Sequence, residues 1–268
     1  MSTIDVNGFL EGGICNWIVD HRDRHATLFK AMGELNRECH RFLSGRKVDV
    51  TSELQITTSA LFARMMELFQ GTIIAVEHGM VAVGSIVFRG YLEAYFRLMA
   101  IHKDPKFLGE YLDQFQVERS RLVNRIRKSS APCLAELRKS LDENLARDVS
   151  GTTKEKKIRE VSIKEVANRA GLDVVYATAY TVLCGAVHTT PLDLESYCVY
   201  DDTRKAISAF KYGPTDRNTE SLLAQAGLLM ADALETISAI FGEDRVQLCA
   251  RFEAQFQAVL GQCSGWKR

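Results

Sequence analysis

The sequence is poor in proline and has no excess of charge of either sign. Its 268 residues include 4 prolines and 18 glycines, which argues against a disordered chain and against a loop-rich β fold. The 34 lysines and arginines equal the 34 aspartates and glutamates, so the chain lacks the net positive charge of nonspecific nucleic-acid binders. These absences favour a folded protein whose length suits one large domain or two small ones.

The sequence also lacks an evident export signal or membrane anchor. The start, MSTIDVNGFLEGG, has no basic region followed by an apolar stretch. The longest uncharged run, 174–192, contains four threonines, His188 and Pro191, and is too short and too polar to span a bilayer. We therefore expect a cytoplasmic protein that does not bind membranes.

Metal-ligand and disulfide spacings are absent as well. The 7 cysteines include no C-x-x-C pair, which predicts reduced thiols used mostly as small core residues. His21 and His25 have a spacing that can hold a metal, but no third ligand is evident and arginines flank them. A solvated helix face is the preferred interpretation, and we expect no cofactor and no metal.

Helical periodicity dominates the chain, and no alternating strand signal stands out. We predict an all-α multi-helix bundle, in which long amphipathic helices surround two central apolar helices. The central helices lie in VAVGSIVFRGYLEAYFRLMAIH (81–102) and in 174–188. Residues 1–268 are expected to form a single domain, with 1–50 as a helical appendage, and 200–218 is expected to be a loop.

Local signals place several helix boundaries. Asp104 and Pro105 predict a helix start, with the aspartate as N-cap. Ser162 and Glu165 form a capping box for a short helix that ends near Gly171. The segment RSRLVNRIRK (119–128) is basic and could contact phosphates, although its spaced apolar residues favour an ordinary amphipathic helix.

The segment SIKEVANRAGL (162–172) resembles the first helix and turn of the lactose-repressor type of helix-turn-helix. The next helix would then have to expose side chains that read base edges. It carries no charge between Asp173 and Asp193, and burial of its apolar residues is favourable. We therefore argue against specific DNA binding and expect a buried, central helix. The residues expected to be largely buried are Val174, Val175, Tyr180 and Val182.

Two polar stripes lie on the two apolar helices. Arg89, Glu93 and Arg97 are spaced by four on the first, and Tyr180, Cys184 and His188 are spaced by four on the second. Desolvated charges require partners, so we predict that Arg89 and Glu93 face Tyr180 and His188 in one polar cluster. The cluster is either an ion-pair network that joins two helices or a polar pocket with a function.

These residues resemble the pattern of a bacterial family of unknown function, over roughly residues 75–215. The family pattern is R-x-x-x-E on one helix and Y-x-x-x-S-x-x-x-H on a later one. Arg89 and Glu93 match the first part, while Tyr180 and His188 match the second. Cys184 stands where the family has serine, which puts a role for that hydroxyl in doubt.

That family is in turn similar to the helical HEPN superfamily (higher eukaryotes and prokaryotes nucleotide-binding). Many HEPN proteins are metal-independent ribonucleases of toxin and phage-defence systems; they act as dimers and carry an R-x(4–6)-H motif. Here the motif occurs as Arg97 and His102, the alternative pair of site residues. The resemblance implies RNA as a partner and a homodimer or a complex with another protein.

The chemistry assigns a role to each residue of the predicted cluster. RNA cleavage without metal needs a base, which suits His188, and a cation for the phosphorane charge, which suits Arg89. Glu93 would orient Arg89, and Tyr180 would donate to the phosphate. A non-catalytic helical interaction module is the alternative function, and a helix-turn-helix regulator is a third.

Overall fold

The structure is a computed structural model that describes residues 7–141, 158–203 and 205–262. Helices account for 75% of the described residues, and the sheet among them has two short strands, which confirms the all-α helical bundle. The α-helices are α1 (Ile14–Arg24), α2 (Ala26–Ser44), α3 (Glu53–Glu77), α4 (Val81–Lys103), α5 (Phe107–Lys128), α6 (Ala135–Ser140), α7 (Ile163–Arg169), α8 (Asp173–Val175), α9 (Thr181–His188), α10 (Pro191–Glu195), α11 (Thr219–Ile240) and α12 (Val246–Gln262).

One of the two predicted helix starts is present and the other is displaced. The hydroxyl of Ser162 accepts a hydrogen bond from the backbone N–H of Glu165 at 3.2 Å, as the capping box predicts. Helix α5 begins at Phe107 and its N-cap is Lys106, so the assignment of Asp104 as N-cap is wrong. The Asp104 carboxylate instead accepts from the N–H of Lys106 at 3.1 Å, which forms a turn before the helix.

The chain divides into two compact units. The first comprises residues 1–99 and 172–268, and the second comprises residues 100–171, so that α4 contributes to both. Compact units fold either independently or together, and the single-domain organisation stays a prediction.

Helix α11 lies at the centre of the first unit, where it packs against α2, α3 and α12. Several of its buried residues are small, which lets neighbouring helices approach closely; they are Ala224, Ala226, Gly227, Ala231 and Ala233. Helix α4 contributes buried aromatic side chains to the same core. The Tyr91 hydroxyl donates to the carbonyl of Ala226 at 3.3 Å, and the Tyr95 hydroxyl donates to the Asp232 carboxylate. This packing leaves the polar side of α4 facing away from α11.

Gly227 is required by the packing of α11 against α12. A Cβ atom at this position would lie 2.5 Å from Cζ of Phe256, whose side chain is fully buried. We expect Gly227→Ala to lower the free energy of unfolding by about 1–3 kcal/mol, because the added methyl group would overlap the buried Phe256 ring. Urea denaturation of the variant tests this.

Gly261→Ala is the matched control, since Gly261 also lies in a helix and its Cβ would meet nothing within 4 Å. Helix propensity alone predicts that this control is stabilised by about 0.5–1 kcal/mol. Equal effects of the two substitutions would contradict the close packing described for α11 and α12.

Helices α3 and α11 are long and apolar enough to cross a membrane by length and composition. Core helices of folded proteins meet the same criterion. The most apolar window of α11 is 61% buried in the structure, and that of α3 is 44% buried. Their apolar character is accounted for by packing within the first unit.

The second unit has its own small core. It consists of one side of α5 and the short helix α7, through Phe107, Val117, Val123, Ile126, Val166, Ala167 and Ala170. Arg169 packs over the Phe107 ring, with its guanidinium carbon 5.4 Å from the ring centroid. The same guanidinium pairs with Asp104, Glu110 and Glu165, which ties the end of α7 to the start of α5.

A small hairpin lies within the segment expected to be a loop. Strand β1 (Cys198–Tyr200) pairs antiparallel with β2 (Ile207–Phe210), so the loop prediction for 200–218 is wrong for β2. All four residues of β2 are exposed. An exposed strand need not alternate apolar and polar residues, which explains why periodicity gave no signal.

The six described cysteines are free, and Cys263 lies outside the described residues. Cys39 and Cys249 are buried in the first unit, whereas Cys15 and Cys133 are exposed. Burial raises the pKa of the Cys39 thiol, and it raises the pKa of Cys249 to about 12. These two thiols are therefore neutral core residues.

His21 is a buried structural residue, so the solvated face expected for this helix is wrong at that position. Its Nδ1 lies 3.1 Å from the carbonyl oxygen of Glu77, which only accepts, so Nδ1 carries the proton and donates. Its Nε2 lies 3.1 Å from the Thr219 hydroxyl, which then donates to it. His25 pairs with Glu220 at 3.2 Å. No group of three potential ligands among the described residues is placed to hold a metal.

The burial of His21 makes the stability of the first unit depend on pH. Desolvation lowers the pKa of His21 below its ordinary value, and the positive charge of Arg24 acts in the same direction. Below about pH 6.5 the unfolded protein therefore binds more protons at this histidine than the folded protein does. The free energy of unfolding then falls by up to about 1.4 kcal/mol for each pH unit. We expect the stability difference between wild type and His21→Gln to narrow as the pH falls from 7.5 to 5.5, measured by urea denaturation. A difference that is constant or grows over this range would contradict the neutral, buried His21.

Candidate functional site

The polar side of α4 carries two arginines around one carboxylate. An Nη of Arg89 lies 3.1 Å from the Glu93 carboxylate, and an Nη of Arg97 lies 3.6 Å from it. Arg97 also donates to the backbone carbonyl of Glu93 at 2.8 Å. The three side chains remain 25%, 26% and 30% exposed, so the stripe is half-buried and accessible from solvent.

Tyr180 joins this stripe from the neighbouring helical segment. Arg89 donates to the Tyr180 hydroxyl at 2.8 Å, and that hydroxyl donates to the Glu93 carboxylate at 3.0 Å. The three predicted residues are therefore joined in a closed triangle by two hydrogen bonds and the Arg89–Glu93 ion pair. We call this group, together with Arg97 and Cys184, the Arg89 cluster. The Cys184 sulfur accepts from Nε of Arg89 at 3.4 Å.

Aromatic packing holds Tyr180 in place. The ring is buried and lies under the Arg89 guanidinium, whose carbon is 5.1 Å from the ring centroid. Tyr176 stacks on it at 5.1 Å, and Phe96 packs at 5.9 Å. Tyr176 precedes Tyr180 by four residues, so the spacing of Tyr180 and Cys184 in the sequence extends to it.

The segment that presents Tyr180 is a π-helix, Tyr176–Tyr180, inserted between α8 and α9. The Thr181 hydroxyl donates to the Tyr176 carbonyl at 2.9 Å, and the Thr178 hydroxyl donates to the Val174 carbonyl at 2.6 Å. Threonine hydroxyls that bond to the backbone in this way compete with the regular α-helical pattern. Short π-helical segments are rare and occur often at functional sites.

His188 is not part of the hydrogen-bonded cluster, and in this respect the predicted four-residue contact is wrong. It is exposed at the last position of α9, and no hydrogen bond among the described residues includes it. It follows Cys184 by four residues, which is one helical turn or about 6 Å along the axis. The Arg89 side chain is held by Tyr180 and Cys184. His188 therefore stands outside the hydrogen-bonded cluster, one helical turn beyond Cys184.

The alternative pair of site residues is divided between two places. Arg97 belongs to the Arg89 cluster through its bonds to Glu93. His102 is exposed and belongs to the second unit. Arg97 is therefore part of the Arg89 cluster, and His102 is not.

The charge of the Arg89 cluster favours anions. Two guanidinium groups and one carboxylate give a formal charge of +1. Burial by itself lowers the pKa of Arg89, but the hydrogen bond to Cys184 and the charge of Glu93 outweigh it and raise this pKa above its ordinary value. Burial and the Glu93 charge raise the pKa of Tyr180, which keeps the phenol protonated. The cluster thus offers fixed N–H donors at a half-open surface, while the Tyr180 O–H is engaged by Glu93.

The helix expected to be central is instead peripheral. Val174 and Val182 are 74% and 76% exposed, so the prediction that they are buried is wrong, whereas Tyr180 is buried as expected and Val175 is half-buried. The apolar composition of 173–188 reflects one buried side and one exposed apolar side.

This exposure removes the burial argument against the helix-turn-helix interpretation. The residues that the helix exposes, such as Val174, Thr178 and Val182, nevertheless lack the long polar groups that read base edges. The boundary between the two compact units also falls after Gly171, between the two helices of the supposed motif.

Fold and site together define a helical-bundle protein with a half-buried arginine–glutamate–tyrosine cluster. A model of a family of unknown function, DUF5677, matches residues 55–206, and the chain belongs to this family. The match covers every residue of the Arg89 cluster and His188, and it confirms the resemblance to a family of unknown function. The similarity to HEPN proteins and the motif patterns stay predictions. Neither the curated proteins nor the solved structures compared with the chain include a significant match.

Proposed function

We propose that the protein is a metal-independent ribonuclease whose scissile phosphate binds at the Arg89 cluster. The observation that carries the proposal is the half-exposed site with a formal charge of +1, in which Arg89 and Tyr180 are fixed by mutual hydrogen bonds. Donors that are held in place before the reaction stabilise developing negative charge without reorganising. The HEPN resemblance predicted from the sequence extends the proposal to toxin or phage-defence systems.

The proposed reaction uses only groups of the protein and the RNA. His188 takes the proton of the ribose 2′-OH, and the 2′-oxygen then attacks the adjacent phosphorus. The bond from phosphorus to the 5′-oxygen breaks, which gives a 2′,3′-cyclic phosphate. The leaving 5′-oxygen takes up a proton from solvent to become a 5′-OH, and His188 releases its proton to solvent. Arg89 and Arg97 stabilise the extra negative charge of the phosphorane, while Glu93 orients both guanidinium groups.

The experiment that tests this proposal compares two substrates of identical sequence. Wild-type protein is incubated in EDTA with an oligoribonucleotide and with its 2′-O-methyl counterpart, which has no 2′-OH proton to remove. We expect cleavage of the oligoribonucleotide alone, with 2′,3′-cyclic phosphate ends. Cleavage that stops when EDTA is added, or that also consumes the 2′-O-methyl substrate, would exclude the mechanism.

A second candidate function is a non-catalytic interaction module, favoured by exposed apolar side chains. These lie between residues 174 and 212 and are Val174, Val182, Leu192, Phe210 and Tyr212, each at least 67% exposed. Exposed apolar surface of this kind is typical of interfaces with another copy or another protein. Under this alternative, RNA stays intact in all conditions, and light scattering shows a homodimer or complex that Val182→Ser and Phe210→Ser weaken.

A further inference from the structure

The balanced charge of the chain conceals an asymmetry between its two units. Residues 100–171 contain 16 lysines and arginines against 11 aspartates and glutamates, a formal charge of +5. The remaining residues contain 18 lysines and arginines against 23 aspartates and glutamates, a formal charge of −5. Charge asymmetry between parts of a chain points to a polyanionic partner for the basic part.

The excess positive charge of the second unit is concentrated at the end of α5. The segment 119–128 contains five basic residues and no acidic one. Arg121 is already engaged by the Glu160 carboxylate, with two bonds of 2.9 and 2.6 Å. Arg125, Arg127 and Lys128 are exposed, and no residue in the described ranges forms an ion pair with them. Their positive charges interact favourably with the partial negative charge at the C-terminal end of α5, and their side chains remain accessible to phosphates.

Apolar side chains are exposed beside these cations. Phe115 is 61% exposed and Leu122 is 60% exposed. They are seven residues apart and therefore lie on one side of α5, and Arg125 follows Leu122 by three residues. The core of the unit is made by other positions of the helix, which include Val117, Val123 and Ile126. Phe115 and Leu122 keep most of their surface outside that core.

We propose that this exposed side of α5, together with Arg127 at the C-terminal end of the helix, binds single-stranded RNA. Arg125, Arg127 and Lys128 would contact successive phosphates, while Phe115 offers a ring on which a base stacks. The choice of RNA rests on the proposed ribonuclease function. Two apolar side chains are too small a surface for an amphipathic helix that inserts into a membrane, which argues against a lipid surface as the partner.

Binding is tested separately from cleavage with a fluorescent 2′-O-methyl oligouridine, followed by anisotropy. Three phosphate contacts on a single strand predict a slope of about −2 for log affinity against log salt, or roughly an 18-fold loss between about 50 and 200 mM. We expect the triple variant Arg125→Gln, Arg127→Gln, Lys128→Gln to bind at least tenfold more weakly and with a slope close to zero. Phe115→Ala is expected to weaken binding about fivefold or more.

The matched control removes three exposed lysines of the first unit, Lys30→Gln, Lys47→Gln and Lys211→Gln, and thereby changes the net charge equally. We expect it to bind like wild type. Equal losses in the two triple variants, an unchanged slope in the α5 variant, or binding of wild type to anionic vesicles but not to the oligouridine would overturn the proposal. A protein that cleaves RNA but shows one of these results retains its proposed function and loses only this surface. A protein that binds the oligouridine through α5 but cleaves no RNA would keep the proposed binding surface and lose the proposed ribonuclease function.

Discussion

Replacing His188 with alanine is expected to slow RNA cleavage by a factor of about 10² to 10⁴, the usual contribution of a general base. His188 is exposed and makes no hydrogen bond within the described ranges, so the variant should keep its stability within about 0.5 kcal/mol. The loss therefore cannot be attributed to unfolding. Single-turnover cleavage in EDTA, with denaturation curves for both proteins, provides the measurement.

His102→Ala is the matched control for this prediction. His102 is also exposed and also follows an arginine of the Arg89 cluster along the chain, but it belongs to the second unit. We expect its cleavage rate to equal that of wild type. If His102→Ala abolished cleavage and His188→Ala did not, the base would belong to the Arg97–His102 pair and our assignment of His188 would be wrong.

Replacing Arg89 with alanine is expected to slow cleavage by about 10² to 10³, the effect of removing one fixed donor from a site that stabilises an oxyanion. The side chain makes three contacts that no neighbour replaces, with Tyr180, Glu93 and Cys184. Arg89→Lys keeps the charge but lacks the planar fork that spans these partners, so it should restore only part of the rate.

Arg64→Ala controls for the loss of one positive charge. Arg64 pairs with Glu67 on the surface of α3 and is 59% exposed. Exposed pairs contribute about 0–1 kcal/mol, and we expect neither stability nor cleavage to change appreciably. Full activity in folded Arg89→Ala would exclude the cluster as the phosphate site.

Long periodic helices were predictable from the sequence because their signals are redundant. The helix predicted within 81–102 is α4, which spans Val81–Lys103 in the structure. The i, i+4 spacing of Arg89 and Glu93 also indicated which side chains share a face. The need of desolvated charges for partners then pointed to Tyr180, and these three residues are in contact.

Short segments were predicted less well because their composition does not say which side faces the core. Val174 and Val182 were expected to be buried on apolar character alone, yet α8 and α9 bury only one side. His21 was expected to be solvated because charged residues flank it, whereas its partners Glu77 and Thr219 come from distant parts of the chain. Tertiary partners of this kind leave no local signal.

The position of His188 shows a related limit. Spacing by four places a residue on a face of a helix, but it does not say where a partner side chain ends. The Arg89 side chain is held by Tyr180 and Cys184, so a residue one turn further along α9 is left outside the cluster. The π-helix before α9 was likewise not foreseen, because it depends on hydroxyl–backbone bonds of Thr178 and Thr181.

Glu93→Gln tests most directly whether the Arg89 cluster is a functional site and not only a link between helices. Glutamine keeps the shape and one acceptor for Tyr180 but removes the charge that orients the two guanidinium groups. Since the Glu93 side chain is 26% exposed, we predict a folded protein whose unfolding free energy falls by no more than about 1 kcal/mol and whose cleavage rate falls at least tenfold. A stability loss of about 3–5 kcal/mol, with activity that merely follows the folded fraction, would show a buried structural network and contradict a functional role.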